Sequence, residues 1–430
     1  MARNTSNWLH FHIKLWNINI IEYYAHVSLL QIGKSMTSLF IPIYLLSNLN
    51  YQIWQVMFFY FLTQIAFVPA VLFASKIIKK TGLKKAMALN LPFTAIYFWA
   101  INQMNGDFKK DILFIITFIL LQSSTRAIAN VANDIFMAKH VLKKAPGKML
   151  AWLKIILTVG TLIAPLVGGV VTFFFGFEAL FYSAIIIVLL SAIPLLITCK
   201  SHFEINYKPQ SLIKFLKEKA RPNYLIAEFG NVFTDTIMWI LWPIFLFITL
   251  DNTAEIGTLV TISAIASIIV SYLISKRIKK HEAKKMIRWG VRSSSVLFFA
   301  RPFFLHPLAI GTVDALYKII DPIFRIPYDQ AAYRLVMKNE NLIKRANIKQ
   351  LVSEIYYTLI VSLLFIFSLF FKEPSKTFFI STFLLAAIMM LLMQRMAHVK
   401  FKKSDIKNID RAEKEEAVDK NIEIIKRGEF

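Results

Sequence analysis

Apolar residues along this chain come in unbroken runs of about twenty, not in the alternation of a half-buried strand or the narrow stripe of a water-soluble helix. A helix of that length crosses about 30 Å of hydrocarbon at about 1.5 Å per residue, so each run predicts a transmembrane span. The runs lie at 24–46, 54–75, 86–104, 112–138, 149–172 and 177–199, then at 224–250, 256–275, 287–304, 308–336, 350–371 and 377–397. The pattern predicts an all-α membrane protein with twelve transmembrane helices. Its parts are an N-terminal segment 1–23, a six-helix bundle 24–199, a linker 200–223, a second six-helix bundle 224–397 and a charged tail 398–430. The ninth run is the least regular, because Arg292 and Arg301 sit inside it.

Composition agrees with this and narrows the classes. The 430 residues are 57% hydrophobic and only 18% charged, which excludes a soluble enzyme and a disordered scaffold. Cys199 is the single cysteine, so an intramolecular disulfide and a thiolate metal cluster are excluded. The eight histidines show no ligand spacing, and neither a metal nor a cofactor is expected. Residues 1–20 lack the continuous apolar stretch and small-residue cleavage site of a secretory signal, and read instead as an amphipathic segment at the membrane surface.

The net charge of +24 raises the question of nucleic-acid binding, which the distribution of the basic residues answers. Lys and Arg number five in 76–85, four in 139–148, six in 200–223, seven in 276–288, four in 337–349 and two in the first 21 residues. The alternate connections hold only Lys109, Lys110, Lys372 and Lys376. An excess of this kind marks the cytoplasmic side, so both termini are predicted to be cytoplasmic. The topology accounts for the charge, and no nucleic-acid partner is expected. The partner is the lipid bilayer.

The two bundles carry an internal repeat. Ser75-Lys76-Ile77-Ile78-Lys79-Lys80 is followed three residues on by Lys84-Lys85, and Ser275-Lys276-Arg277-Ile278-Lys279-Lys280 by Lys284-Lys285, with the same spacing. Similar offsets place Arg126 against Arg325 and Lys34 against Asp235. Six spans plus six, a cytoplasmic central loop and parallel repeats resemble the major facilitator superfamily of secondary transporters. In that family the loop after span two reads G-x-x-x-D-[RK]-x-G-[RK]-[RK]. Here Lys80, Gly82 and Lys84 match, while Ser75 replaces the first glycine and Lys79 the acid. Span five, with Gly160, Ala164, Pro165, Gly168 and Gly169, resembles the G-x-x-x-G-P-x-x-G-G of the family's proton-coupled antiporter branches, Ala164 replacing one glycine. Small residues at this spacing also serve plain helix packing.

Ionisable residues inside spans are costly, and where they occur they face a bundle interior. At about 100° per residue, Asp314, Lys318, Asp321, Arg325 and Asp329 of span ten fall within about 80° of arc, a stripe alternating in sign and interrupted by Pro322 and Pro327. Span four carries Gln122, Arg126, Asn130 and Asn133 on one face. Span seven carries Glu228, Asn231, Asp235 and Trp239, with Trp242 beside them, and span one Gln31, Lys34, Ser35 and Ser38. The family resemblance implies that spans one, four, seven and ten line a central cavity. Lys34, Arg126, Asn130, Asp235, Asp314, Lys318, Asp321, Arg325 and Asp329 are therefore the candidate substrate and ion pathway. Asp134, Lys154, Arg334 and Glu354, nearer the cytoplasmic ends, are expected to form gate or structural pairs.

The resulting expectation is a monomeric transporter of the cytoplasmic membrane that carries a small solute by alternating access. Asp235 or Asp321 would couple transport to protons, Lys34, Arg126 and Arg325 would receive an anionic or zwitterionic solute, and export is favoured over import. Trp239, Trp242 and Tyr317 would supply an apolar wall. No ATP-binding loop of the G-x-x-x-x-G-K-[ST] kind is present, so the energy would come from a gradient. The competing classes are a membrane sensor and a lipid-modifying enzyme built on a similar bundle.

Overall fold

The computed structural model describes residues 18–136, 146–197, 222–275, 283–304, 306–336, 342–371 and 375–399, and their regular structure is helical throughout. Helix α1 (Ile18–Ser38) starts earlier than the apolar run suggests, taking in part of the expected N-terminal segment. It breaks at Leu39 and Phe40, resumes over Ile41–Ile43 at Pro42, and ends in a wide π-helical turn, Tyr44–Asn48, where Leu49 N donates to Tyr44 O at 3.1 Å.

Helices α2 (Ile53–Thr81) and α3 (Leu83–Asn102) meet at Gly82, whose φ of 82° and ψ of 162° suit only a residue without Cβ. The expected basic loop at 76–85 is thus two helix ends joined by a single residue. Gln52 starts α2 with a reciprocal cap, its own N–H donating to Gln55 Oε1 at 2.7 Å. After α4 (Ile112–Phe136) comes α5 (Pro146–Leu190), which is non-helical at Gly176 (φ 81°, ψ 176°) and so consists of two helices, spans five and six of the sequence pattern. Ser191 separates it from the short α6 (Ala192–Ile197), and His26 Nδ1 of α1 pairs with the Ser191 carbonyl at 2.8 Å.

The second half begins with α7 (Pro222–Thr236), which passes through a π-helical turn at Ile237–Leu241 into Trp242–Leu250. It continues with α8 (Thr253–Ser275), α9 (Ala283–Ala300), α10 (Pro307–Val336), α11 (Leu342–Ser368) and α12 (Lys376–Leu391). Among the described residues, eight stretches are long and apolar enough to cross a membrane, and one of these, Leu162–Leu195, contains the turn at Gly176. The helices that fall short are α3, α9 and α10. Lys84 and Lys85 in α3, Arg288 and Arg292 in α9 and the charged stripe of α10 lower their hydropathy, although each occupies a predicted span.

Each half has an aromatic core. Phe118 packs on Phe59 at 4.9 Å and on Tyr97 at 5.3 Å between ring centroids. In the other half Phe245 packs on Phe379 at 5.4 Å and on Phe383 at 5.5 Å. Such pairs contribute about 0.5–1.5 kcal/mol each beyond the area they bury. Large apolar side chains such as Leu113, Phe174 and Phe370 point outward, as a surface in contact with lipid requires.

Two seams join the halves on the side of the basic-poor connections. On one, Phe365 of α11 packs against Phe58 at 5.2 Å and stacks on Phe61 at 5.5 Å, both from α2. On the other, α5 meets α8 so closely that a Cβ on Gly169 would strike the carbonyl of Thr253, and one on Gly257 the carbonyl of Pro165. Thr253 and Thr261 donate to the Gly169 and Leu162 carbonyls at 3.3 and 3.2 Å, satisfying polar groups at a dry contact. Pro165, Gly168 and Gly169 of the span-five pattern therefore have a packing task, Gly168 being pressed against Met36 of α1.

A bulky residue at the glycine seam should force the halves apart on this side. Gly169→Leu is expected to destabilise the closed seam by about 1–3 kcal/mol, the range for overpacking. The check is thiol accessibility in a Cys199→Ser background: a cysteine at position 365, shielded by Phe58 and Phe61, should react faster with an impermeant reagent once Gly169 is replaced.

Candidate functional site

A cavity of about 650 Å³ lies between the halves, walled by α1, α2, α4, α7, α10 and α11. Its depth follows from which residues line it. Its lining runs from Ile41, Phe59 and Phe118, nearer the basic-poor connections, to Gln31, Glu228, Asp329 and Ser353, toward the end that bears the basic connections. Of the expected pathway residues, Lys34, Arg126, Asp235, Arg325 and Asp329 line it. Asp321 reaches it only through Arg325.

The cations fare differently. Arg126 donates Nη1 to Gln64 Oε1 at 3.0 Å and Nη2 to Glu354 Oε1, and Gln64 Nε2 reaches the other oxygen of Glu354 at 2.6 Å. Its guanidinium also lies 4.4 Å from the ring centroid of Phe67. This is a contact between halves, because α2 and α4 belong to one and α11 to the other. Glu354, expected among gate or structural pairs, stands in the cavity wall. The side chains of Asp134, Lys154 and Arg334 lie outside the described residues, as does Gly160.

Arg325 is held within its own half. It donates Nη2 to Asp235 Oδ1 at 2.9 Å, Nη1 to Asp235 Oδ2 at 3.2 Å and to Asn231 Oδ1 at 2.7 Å, and Nε to Asp321 Oδ1 at 3.0 Å. The fork matches the bidentate geometry that a guanidinium offers a carboxylate. Tyr317 adds a longer contact to Asp321 at 3.4 Å. Lys34, in contrast, presents its ammonium to the cavity with neither an ion pair nor a hydrogen bond among the described residues. Glu228 receives two hydroxyls, Tyr328 at 2.9 Å and Ser353 at 2.6 Å.

The stripe on α10 corrects one expectation. Asp314 does not line the cavity, because Arg301 of the 3-10 turn Arg301–Phe303 reaches it first, Nη2 to Oδ1 at 3.2 Å, with both side chains fully buried. Around that guanidinium stand Trp242, Tyr317 and Phe298, with ring centroids at 4.3, 4.5 and 4.8 Å, and Met238 Sδ accepts from Nη1. Trp242 and Tyr317 thus cage an arginine and do not wall the cavity, whereas Trp239 does wall it. Lys318 and Asn130 also stand off the lining; Lys318 makes no ion pair among the described residues, its neighbour Asp314 being taken by Arg301. The sequence pattern did not single out Gln64, although it and Thr63 are the polar pair in the middle of an otherwise apolar run.

Among the described residues no group of three or more His, Cys, Asp or Glu side chains is placed to hold a metal ion. The Major Facilitator Superfamily model matches residues 24–313. The chain belongs to that superfamily. No curated protein has a matching sequence. The fold is similar to that of the nucleoside transporter NupG, with a TM-score of 0.69 at 13% identity over 90% of this chain and 100% of the other. A bacterial homologue of the iron transporter ferroportin in an inward-facing state gives 0.66 at 15% over 88% and 98%. A D-xylose–proton symporter gives 0.65 at 12% over 87% and 97%. The chain is thus a multi-pass membrane transporter by family and fold.

The two arginine pairs should differ in what they cost when broken. Arg301→Leu strands Asp314 in the dry core and is expected to destabilise the protein by about 3–5 kcal/mol, the range for removing one member of a buried pair. Arg126→Gln and Glu354→Gln, beside the cavity, should each cost less, with a coupling between them of about 0.5–3 kcal/mol. Reversible denaturation of the purified protein in mixed micelles measures all of these, and equal costs at both sites would contradict the difference in burial.

Proposed function

We propose that this member of the superfamily is a proton-coupled secondary transporter, monomeric in the cytoplasmic membrane, that exports a small solute unchanged by alternating access. The observation that carries the proton coupling is the grouping of Asp235 and Asp321 on the single guanidinium of Arg325. Two carboxylates against one cation leave an excess negative charge at the cavity wall, and like charges so close disfavour joint ionisation. Uptake of one proton brings the group to neutrality. If Asp235 takes it, Arg325 loses its bidentate partner on α7 and turns its donors toward the cavity; release of the proton draws them back. Solute and proton are then linked through one side chain, as a coupled carrier requires.

The seams joining the halves and the depth of the cavity support an inward-facing arrangement. The Arg126–Glu354 and Gln64–Glu354 contacts join the halves at the cavity wall, so movement of one half over the other acts on them. The export direction is supported by the resemblance of residues 160–169 to the antiporter pattern.

The purified protein in proteoliposomes loaded with a pH-sensitive dye tests the coupling. With a solute that the protein exchanges, proton movement should accompany net transport in the wild type and be lost in Asp235→Asn or Asp321→Asn, while solute counterflow without a pH gradient persists. Proton movement that survives in both variants would overturn the assignment.

A further inference from the structure

We propose that the transported solute is a zwitterion, bound with its anionic group at Lys34 of the N-terminal half and its cationic group against the acidic face of the C-terminal half. The inference rests on the central cavity serving transport, as above, and names what that cavity takes. It follows from which charges the protein has already neutralised. Arg126 is matched by Glu354, and Arg325 is matched more than once over by Asp235 and Asp321. What remains has opposite sign on the two sides. The N-terminal half presents the ammonium of Lys34 with no partner among the described residues. The C-terminal half presents the excess charge of the Asp235–Arg325–Asp321 group, with Glu228 buried in the cavity wall, where among the described residues it accepts from the hydroxyls of Tyr328 and Ser353.

The C-terminal face has a second feature suited to a cation. Trp239 follows Asp235 by four residues, and both line the cavity. An indole beside a carboxylate attracts ammonium and quaternary ammonium groups through its ring face as well as its charge. The cavity neighbours of Lys34 on α1 are the polar Gln31, Ser35 and Ser38; Gln31 Nε2 donates to Ser35 Oγ at 3.3 Å, which leaves the Ser35 hydroxyl hydrogen to turn toward an anion. A cavity of about 650 Å³ holds a solute of amino-acid size with some water.

The cycle itself favours such a cargo. Closing the cavity on both sides removes Lys34 and the Asp235–Arg325–Asp321 group from water, and a charge so withdrawn is costly unless it is paired. A singly charged solute would neutralise one half and leave the other exposed to that cost. A zwitterion spanning the gap satisfies both, so the loaded carrier can close where the empty one is hindered.

Binding to the purified protein, read by thermal stabilisation and by Trp fluorescence, tests the proposal. The probes are the twenty amino acids and trimethylglycine, each amino acid being compared with its amide, which keeps the cation alone, and its N-acetyl derivative, which keeps the anion alone. At least one zwitterion should bind about tenfold or more tightly than both of its derivatives, as expected when one member of a desolvated charge pair is missing. Lys34→Gln should erase the preference over the amide and keep that over the N-acetyl compound, while Lys34→Arg, which controls for folding, should keep both. Equal binding of the derivatives, no binding by any zwitterion, or a preference unaltered in Lys34→Gln would overturn the assignment. A zwitterion that binds selectively and exchanges with no proton movement would instead overturn the proton coupling and leave the solute class standing.

Discussion

A guanidinium withdrawn from water must be surrounded by acceptors, and most of what is particular to this bundle follows from how three arginines meet that demand. Arg301 meets it with one carboxylate and three aromatic rings, which tie the end of α9 to α7 and α10. Arg325 meets it with two carboxylates and an amide, fixing α10 against α7 a few turns deeper. Arg126 meets it with Gln64 of its own half and with Glu354 of the other. The first two tie α7, α9 and α10 together within the C-terminal half; the third links the two halves. Hydrocarbon alone would tolerate many packings of apolar helices, since lipid tails solvate leucine as well as a neighbouring helix does. The charges select among them.

Helices were legible because lipid enforces them: the apolar runs became helices across the described residues, and the turn at Gly176 falls inside the connection that the pattern predicts at 173–176. The helical stripe on α10 was legible too, since periodicity alone puts Asp314, Asp321 and Arg325 on one face. Where that face leads was not. The stripe runs through a dry interior at Asp314 and along the cavity at Arg325, and the difference is made by Arg301, a residue of another helix whose approach no local pattern encodes. Gln64 escaped notice for a related reason. One glutamine in an apolar run carries no charge, and its weight comes from bridging Arg126 and Glu354, partners far away in sequence. Glu354 shows what a single helix cannot disclose: its place in the chain marks it for a pair, but its partners, Arg126 and Gln64, lie in the other half.

One of the two seams between the halves differs in kind from the contacts within them. Inside each half, interlocked rings of Phe and Tyr hold helices in a single relation. At the seam of α5 and α8 backbone lies on backbone, with no side chain between Gly169 and Gly257 to withdraw before the surfaces part. Rings interlock and resist sliding; bare backbone surfaces slide. The α5–α8 seam suits a molecule whose working motion is the movement of one half over the other, while the rings of Phe58, Phe61 and Phe365 hold the second seam.

The wide turns at Tyr44–Asn48 and Ile237–Leu241 occupy the first helix of each half, toward the end away from the basic connections. A π turn is an α-helix with one residue inserted, its hydrogen bonds closing over five residues in place of four. The turn at Tyr44–Asn48 ends its helix, but α7 runs on past its own and is therefore out of phase with itself: side chains beyond the turn are rotated by about 100° from where unbroken periodicity would set them. Asp235, ahead of the turn, faces the cavity, while Trp242, just beyond it, lies against Arg301. Counted in insertions and deletions, α7 carries one extra residue. Point substitutions leave that phase untouched, whereas removing a single residue from 237–241 would straighten the helix and aim everything past it at the wrong neighbour.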